Sequence, residues 1–255
     1  MTPETFIKKI AKETGDAVWK RFGKDGVERR KSAEAFDTLT KADLMAEKFV
    51  IANIKKYFPK HGIVAEESGA DRQEAEYVWT IDPIDGTTNF ALGIPFFCVM
   101  VALMKHGDIV LAAIYLPATK ELYFAKKGKG AFLNGKRIHC SQRSTLEGSH
   151  GISTPYLHKR DIALMKKLFA ARAKSHFIHA LGSKAGFCYI ARGAADWKAS
   201  FGGALHDFTA PYLILKESGC AVTNAKGELW TTAMREMVAA NPRLHKKLIA
   251  LTKGV

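Results

Sequence analysis

The sequence predicts an α+β fold on three observations. Apolar residues recur at helical spacing in the segments up to Pro59; residues 97–133 read as short strands broken by tight turns; and after Lys159 helices and strands are mixed. Strands gathered in one run favour an antiparallel sheet with segregated helices over regular βαβ alternation. The length, 255 residues, fits one domain of two lobes, an N-terminal lobe at about 1–145 and a C-terminal lobe at about 146–255.

Thr2 and Pro3 supply a hydroxyl cap and a first-turn proline, so a helix starts there, with Phe6, Ile7, Ile10, Ala17, Val18 and Phe22 at helical spacing. Residues 23–35 are charged and nearly free of apolar side chains, which predicts a mobile loop. Thr40 caps a second helix whose inward face is expected to be Leu44, Met45, Phe49, Ala52 and Ile54. Asp43 stands where a capping box needs its acid.

Residues 62–65 form a short buried strand, with Glu66 at its end, and 69–76 is a polar surface excursion. A glutamate in that place usually meets solvent. A second strand, 77–81, also ends in carboxylates, and parallel neighbouring ends would set Glu66 beside Asp82. An antiparallel meander follows through 99–104, 109–116, 121–125 and 131–133, with Asn134-Gly135 a type I′ hairpin signal.

Residues 159–172 are amphipathic, with Ile162, Met165, Leu168 and Phe169 on one side, and His176 to His179 reads as a strand. Gly182-Ser183-Lys184 leads into a helix through Arg192; that start is either an ordinary cap or an anion site made of free N–H groups. Residues 194–199 are a strand, Asp207 lies at the start of a helix ending at Ser218-Gly219, and Asn241-Pro242 opens a basic final helix.

Bulk composition narrows the function. Apolar residues make up 47% and charged residues 25%, the proportions of a soluble globular protein. The apolar stretch 96–104 is far too short to span a membrane, and Glu4, Lys8 and Lys9 interrupt any signal-peptide core, so a cytoplasmic protein with no membrane partner is expected. Four widely spread cysteines, none in a CxxC, read as reduced core thiols. The net charge of +14 would concentrate phosphorylated substrates and would also attract nucleic acid. The cations are scattered and lack aromatic interleaving, so a solvated basic surface is the favoured explanation.

The chemistry concentrates in Asp82-Pro83-Ile84-Asp85-Gly86-Thr87-Thr88-Asn89-Phe90. Pro83 and Gly86 make a tight turn whose outward groups are oxygens: two carboxylates, the Ile84 carbonyl and the Thr87 hydroxyl. Clustered hard oxygens suit Mg²⁺, and without a cation the two acids repel.

With Glu66-Glu67-Ser68 upstream and Asp207 far downstream, this stretch resembles the signature of the inositol monophosphatase family, over roughly Asp37 to Asn224. The resemblance implies a layered αβαβα sandwich of the inositol monophosphatase/fructose bisphosphatase type with a largely antiparallel N-terminal sheet. It implies Mg²⁺-dependent, lithium-sensitive hydrolysis of a small phosphate monoester, in a protein that is often a homodimer. On this basis one ion is assigned to Glu66, Asp82, the Ile84 carbonyl and Thr87, and a second to Asp82, Asp85 and Asp207; a third would attach through Glu66. Glu66 and Thr87 would orient the attacking water, with Asp43 accepting a hydrogen bond from Thr87. Asp85, Gly86, Thr87, Gly182, Ser183, Lys184, Ser200 and Asp207 would meet the substrate. Lys31 is the candidate for a family lysine near the third ion. Asp207 could instead be a plain helix N-cap.

Three positions depart from the family pattern: His206 replaces a tryptophan, Lys184 a small residue, and Ser200 a glutamate that meets inositol hydroxyls in the animal enzymes. Inositol specificity is therefore not implied. Histidinol-phosphate phosphatase, bisphosphate nucleotidase and fructose bisphosphatase activities are the alternatives within the superfamily, although Thr88-Asn89-Phe90 follows the monophosphatase form. A basic RNA- or transcription-complex-binding protein is the alternative from another class.

Overall fold

The computed structural model describes residues 1–30, 38–153, 159–170 and 177–253. Helices α1 (Pro3–Trp19) and α2 (Lys41–Tyr57) flank a small antiparallel pair, β1 (Arg29–Arg30) with β2 (Thr38–Leu39). The chain then runs through β3 (Gly62–Ala65), β4 (Gly69–Asp71), β5 (Tyr77–Asp85), α3 (Thr87–Ala91), β6 (Cys98–Lys105), β7 (Asp108–Leu116), β8 (Glu121–Lys126), β9 (Gly130–Leu133) and β10 (Lys136–Ile138). These strands form an eight-stranded sheet in the order β10-β9-β8-β7-β6-β5-β3-β4. Every neighbouring pair is antiparallel except β3 with β5.

The rest comprises β11 (His150–Ser153), α4 (Lys159–Ala170), β12 (Phe177–Ala180), α5 (Gly186–Ala191), β13 (Trp197–Phe201), α6 (Leu205–Glu217), β14 (Ala221–Thr223), β15 (Glu236–Ala240) and α7 (Pro242–Thr252). The second sheet has five strands in the order β12-β11-β13-β15-β14.

Three apolar interfaces stack these elements. Phe6, Ile10, Val50 and Ile54 of α1 and α2 pack on Trp79, Ile81, Val101 and Tyr115 of the large sheet. Its other face, with Met100, Ile114 and Tyr123, meets Phe187 and Ile190 of α5 and Phe208 and Ile214 of α6, which also cover Ile152, Met237 and Ala239 of the small sheet. Beyond that sheet, Leu164 and Leu168 of α4 and Leu244 and Leu248 of α7 pack on Trp197 and Val238. The order is helix, sheet, helix, sheet, helix: the αβαβα sandwich. Each sheet buries both faces, which accounts for long apolar strands such as Cys98–Lys105, apolar in every residue but its last. Among the described residues, no helix is long and apolar enough to cross a membrane.

Most local signals hold. Thr2 caps α1, Thr40 and Asp43 form a reciprocal capping box, and Asn134 and Gly135 have φ of 47° and 81°, as a type I′ turn requires. All four cysteines are buried free thiols. The inward face of α2 is a correction. Leu44, Met45 and Phe49 are exposed, Leu44 at 47%, while Ala42, Asp43, Ala46, Glu47, Val50 and Ile54 are buried. The helix turns two acids inward because one end of that face meets polar loops instead of the sheet. In α4, likewise, Ile162 is exposed and Asp161 buried.

Smaller differences concern element ends. The strand expected over 194–199 begins at Trp197, and the helix after Ser183 is short, Gly186–Ala191. The loop expected over 23–35 includes β1 before it passes outside the described residues, where Lys31 and its assigned role also lie; His176 lies outside them too.

Candidate metal centre

Parallel pairing of β3 with β5 sets Ala65 opposite Ile81, and the Glu66 N–H donates to the Ile81 carbonyl at 3.2 Å. Glu66 therefore leaves β3 beside Asp82, as the two carboxylate-ended strands predict, close enough for its charge to raise the Asp82 carboxyl. The register of β5 against β6 breaks between Asp82 and Asp85, where Pro83 interrupts the ladder. Gly86 closes the turn at φ +92°, and a Cβ there would sit 3.1 Å from the Phe96 carbonyl oxygen and 3.2 Å from the Ser183 Cβ. Conformation and space both demand glycine.

Asp207 arrives on α6, which packs against β5, β6 and β7 and is tied to β5 by the Thr80–Thr209 hydroxyl pair at 2.6 Å. One carboxylate oxygen each from Asp82, Asp85 and Asp207 lies within 4.8 Å of the others. Asp207 stands at the third position of α6, with Ala204 as N-cap, and its Oδ2 accepts the Ala204 N–H at 2.6 Å. It is a member of the acid cluster and a cap at once, though not the N-cap residue itself.

Electrostatics leave this cluster incomplete. Asp82 is 2% exposed, and its Oδ1 has no hydrogen-bond partner. Burial, then the charges of Glu66, Asp85 and Asp207, push its carboxyl well above the usual carboxylate range. Burial also raises Asp85, opposed by the Ser183 hydroxyl. A buried orphan oxygen among like charges is the arrangement a divalent cation completes, and three hard carboxylate oxygens are the donor set it prefers. The residues present fit such an ion.

The Thr87 hydroxyl donates to the Ile84 carbonyl at 2.8 Å and to Asp43 Oδ1 at 3.2 Å. Its one proton is thereby committed, and its oxygen is left to accept. Asp43 is fully buried, its Oδ2 taking the Thr40 N–H at 2.8 Å, so the capping and Thr87-holding roles coexist.

Glu47 went unread in the sequence. It is 3% exposed and accepts the N–H groups of Glu67 at 2.7 Å and Ser68 at 2.8 Å, fixing the turn that carries Glu66. The signal was present: Asp43 and Glu47 are four apart and share a helix face. It was hidden by the assumption that the apolar side of α2 points inward.

The far side of the site holds Gly182, Ser183, Lys184 and Ser200. Gly182 has φ +61°. At the start of α5 the Ala185 N–H, at 3.2 Å, and the Ser183 hydroxyl both donate to Asp85 Oδ2. Asp85 is thereby tied to the start of α5. Lys184 donates to the Ser200 hydroxyl at 2.8 Å, both side chains being buried.

The sequence matches the model of the inositol monophosphatase family over residues 3–255. It is 33% identical over 256 residues to an Aquifex aeolicus protein named fructose-1,6-bisphosphatase/inositol-1-monophosphatase, covering 97% of this chain and 94% of that one. It is 35% identical over 217 residues to a Vibrio cholerae protein named Nus factor SuhB, covering 84% and 81% of the two chains. The solved structure of extragenic suppressor protein suhB from Bartonella henselae superposes with a TM-score of 0.90 at 31% identity, covering 98% of each chain. With its layered fold and acid cluster, this chain belongs to the inositol monophosphatase family and is a phosphatase of that family.

Proposed function

We propose that this protein hydrolyses a small phosphate monoester to an alcohol and inorganic phosphate with Mg²⁺ and an attacking water. The observation that carries the reading is the buried, unpartnered Asp82 Oδ1 set among the carboxylates of Asp85, Asp207 and Glu66. Glu66, Asp82 and the Ile84 carbonyl would hold one ion, with Thr87 beside it, and Asp82, Asp85 and Asp207 a second. A third would attach through Glu66. Ions held there supply Lewis-acid neutralisation of the phosphoryl and leaving oxygens and lower the pKa of the attacking water.

The chain's own residues do the positioning. Thr87, its proton given to Asp43 and Ile84, offers an oxygen lone pair that accepts a proton of the attacking water. Glu66, fixed through the Glu47-anchored turn, accepts the other. Two acceptors aim the water's remaining lone pair at phosphorus, an entropic gain of the kind orientation provides. Gly86 and Thr87 of the turn, and the Gly182–Ser183 segment joined to it through Asp85, border the space for the ester.

A phosphate-release screen across inositol, sugar, histidinol and nucleoside phosphates tests this, run with Mg²⁺, with chelator, and with Mg²⁺ restored. Release that survives chelation overturns it. Inhibition by millimolar Li⁺ and a cytoplasmic homodimer belong to the same reading, and sedimentation checks the dimer.

A second reading has its own observation. The outer helix α7 carries Arg243, Lys246 and Lys247 with no acid, and relatives bear the name Nus factor SuhB. A basic face of this kind fits an acidic partner in a transcription complex, and RNA binding titrated with salt measures it.

A further inference from the structure

Lys184 is 4% exposed, yet its ammonium is hydrogen-bonded only to neutral acceptors: the Ser200 hydroxyl at 2.8 Å and the Gly202 carbonyl at 3.2 Å. An ammonium has three donors, and among the described residues the third has no acceptor and no carboxylate forms an ion pair with it. Burying an unpaired cation is unfavourable, because it loses its hydration without gaining a counter-charge. The Phe208 ring 4.7 Å beneath it offsets part of that cost without neutralising the charge.

The nearby acids, Asp85 and Asp161, make no hydrogen bond or ion pair with it. Asp85 is bound by Ser183 and Ala185 in the metal centre, and Asp161 lies behind, close enough to feel both Lys184 and Lys198 but paired with neither. The position of the ammonium matters more. Gly202 and Gly203 are exposed and form the turn over it, and a Cβ at Gly203 would fall 2.5 Å from Asp207 Oδ2 and 2.8 Å from the Phe208 ring. One open turn thus adjoins the acid cluster on one side and, on the other, the ammonium that lacks an ion pair.

We propose that Lys184 is a second anchoring point for the substrate, selecting phosphate monoesters that carry another anionic group, a carboxylate or a second phosphate, over neutral polyol phosphates. The assignment rests on the phosphatase reading above. Ser200 serves it by holding the ammonium with a neutral oxygen, which leaves the positive charge for the ligand. A carboxylate in its place would cancel that charge.

The test compares kcat/KM for fructose 1,6-bisphosphate and 3-phosphoglycerate with that for glycerol 2-phosphate. The wild-type protein favours at least one of the anionic pair, and which one identifies the group. Lys184→Met, which removes a buried charge at similar volume, lowers that preference about tenfold or more, mainly through KM, the loss of one charge-assisted hydrogen bond. Lys184→Arg retains most of the preference. Ser200→Asp, which pairs the ammonium internally, lowers it as Lys184→Met does and carries the test if the methionine variant misfolds. No phosphate release from any ester by the wild type overturns the phosphatase reading. Release with glycerol 2-phosphate preferred, or with a preference that both substitutions leave unchanged, overturns the role of Lys184 alone.

Discussion

The two sides of the site are each charged alike and are opposite to one another. On one, β3, β5 and α6 deliver Glu66, Asp82, Asp85 and Asp207; on the other, the segment before α5 and strand β13 deliver Lys184 and Lys198. Glu47, Asp43, Ser183 and Ser200 hold their partners in place through directed hydrogen bonds, and Asp82 Oδ1 and the third donor of Lys184 stay unsatisfied. The difference teaches that the fold prepares for a cation on one side and an anion on the other. The substitutions below remove these features one at a time.

The largest effect is expected on the acid side. Asp207→Asn removes one of three clustered carboxylates, and kcat/KM should fall on the order of a thousandfold, the loss of several kcal/mol of charge stabilisation. In chelator the same variant should melt no lower than wild type, because a like-charge repulsion has been relieved. Wild-type turnover in Asp207→Asn would remove the cluster from the reaction.

Thr87→Val asks whether that side activates water as well as holding charge. It keeps the shape of the side chain and deletes the hydroxyl that spans Asp43 and Ile84, so kcat should drop about a hundredfold with KM little altered. A loss confined to KM would place Thr87 in substrate binding instead.

Glu47→Gln sharpens the comparison by touching only the support. One side-chain oxygen can still accept from the turn but the charge is gone, and about tenfold in kcat/KM is expected, with more Mg²⁺ needed for half-maximal rate. An unchanged Mg²⁺ requirement would make Glu47 a stabiliser of the turn alone.

Legibility in the sequence followed the kind of force involved. Backbone devices were readable: the Thr2 and Thr40 caps and the Asn134-Gly135 turn each follow from local conformational preference, whereas the strand expected to end at Ile81 runs on to Asp85 with its register shifted after Asp82. The neighbouring positions of Glu66 and Asp82 were readable because two strands ended in acids and parallel pairing was the simplest way to join them. What failed was the rule that apolar residues of a helix face inward, in α2 and again at Ile162 of α4. That rule assumes an apolar neighbour, whereas α2 abuts the loops of the site. The occupation of the α5 start by Asp85 was equally hidden, since a contact between residues so distant in sequence depends on how α6 and the two sheets stack.

The smallest effect concerns the cation side, read through stability. Burial, aided by Lys184, lowers Lys198 to about 7, and burial raises Asp161 to about 7. For Lys198 the folded value lies below the ordinary 10.5, so its contribution to stability is complete above that pH and is lost as pH falls through about 7. For Asp161 the folded value lies above the ordinary 3.8, so its contribution is complete below that pH and is lost as pH rises through about 7. The two slopes meet in a trough near neutrality. Lys198→Met should flatten the alkaline wall only: between about pH 7 and pH 9.5 the Tm of wild type should climb relative to the variant, while below pH 6 the two should run parallel. Equal pH dependence throughout would mean that the fold tolerates the second lysine as a full charge. The cation side would then mirror the acid side in holding a crowd of like charges, and it would cease to be a single buried charge at Lys184 backed by a neutral amine.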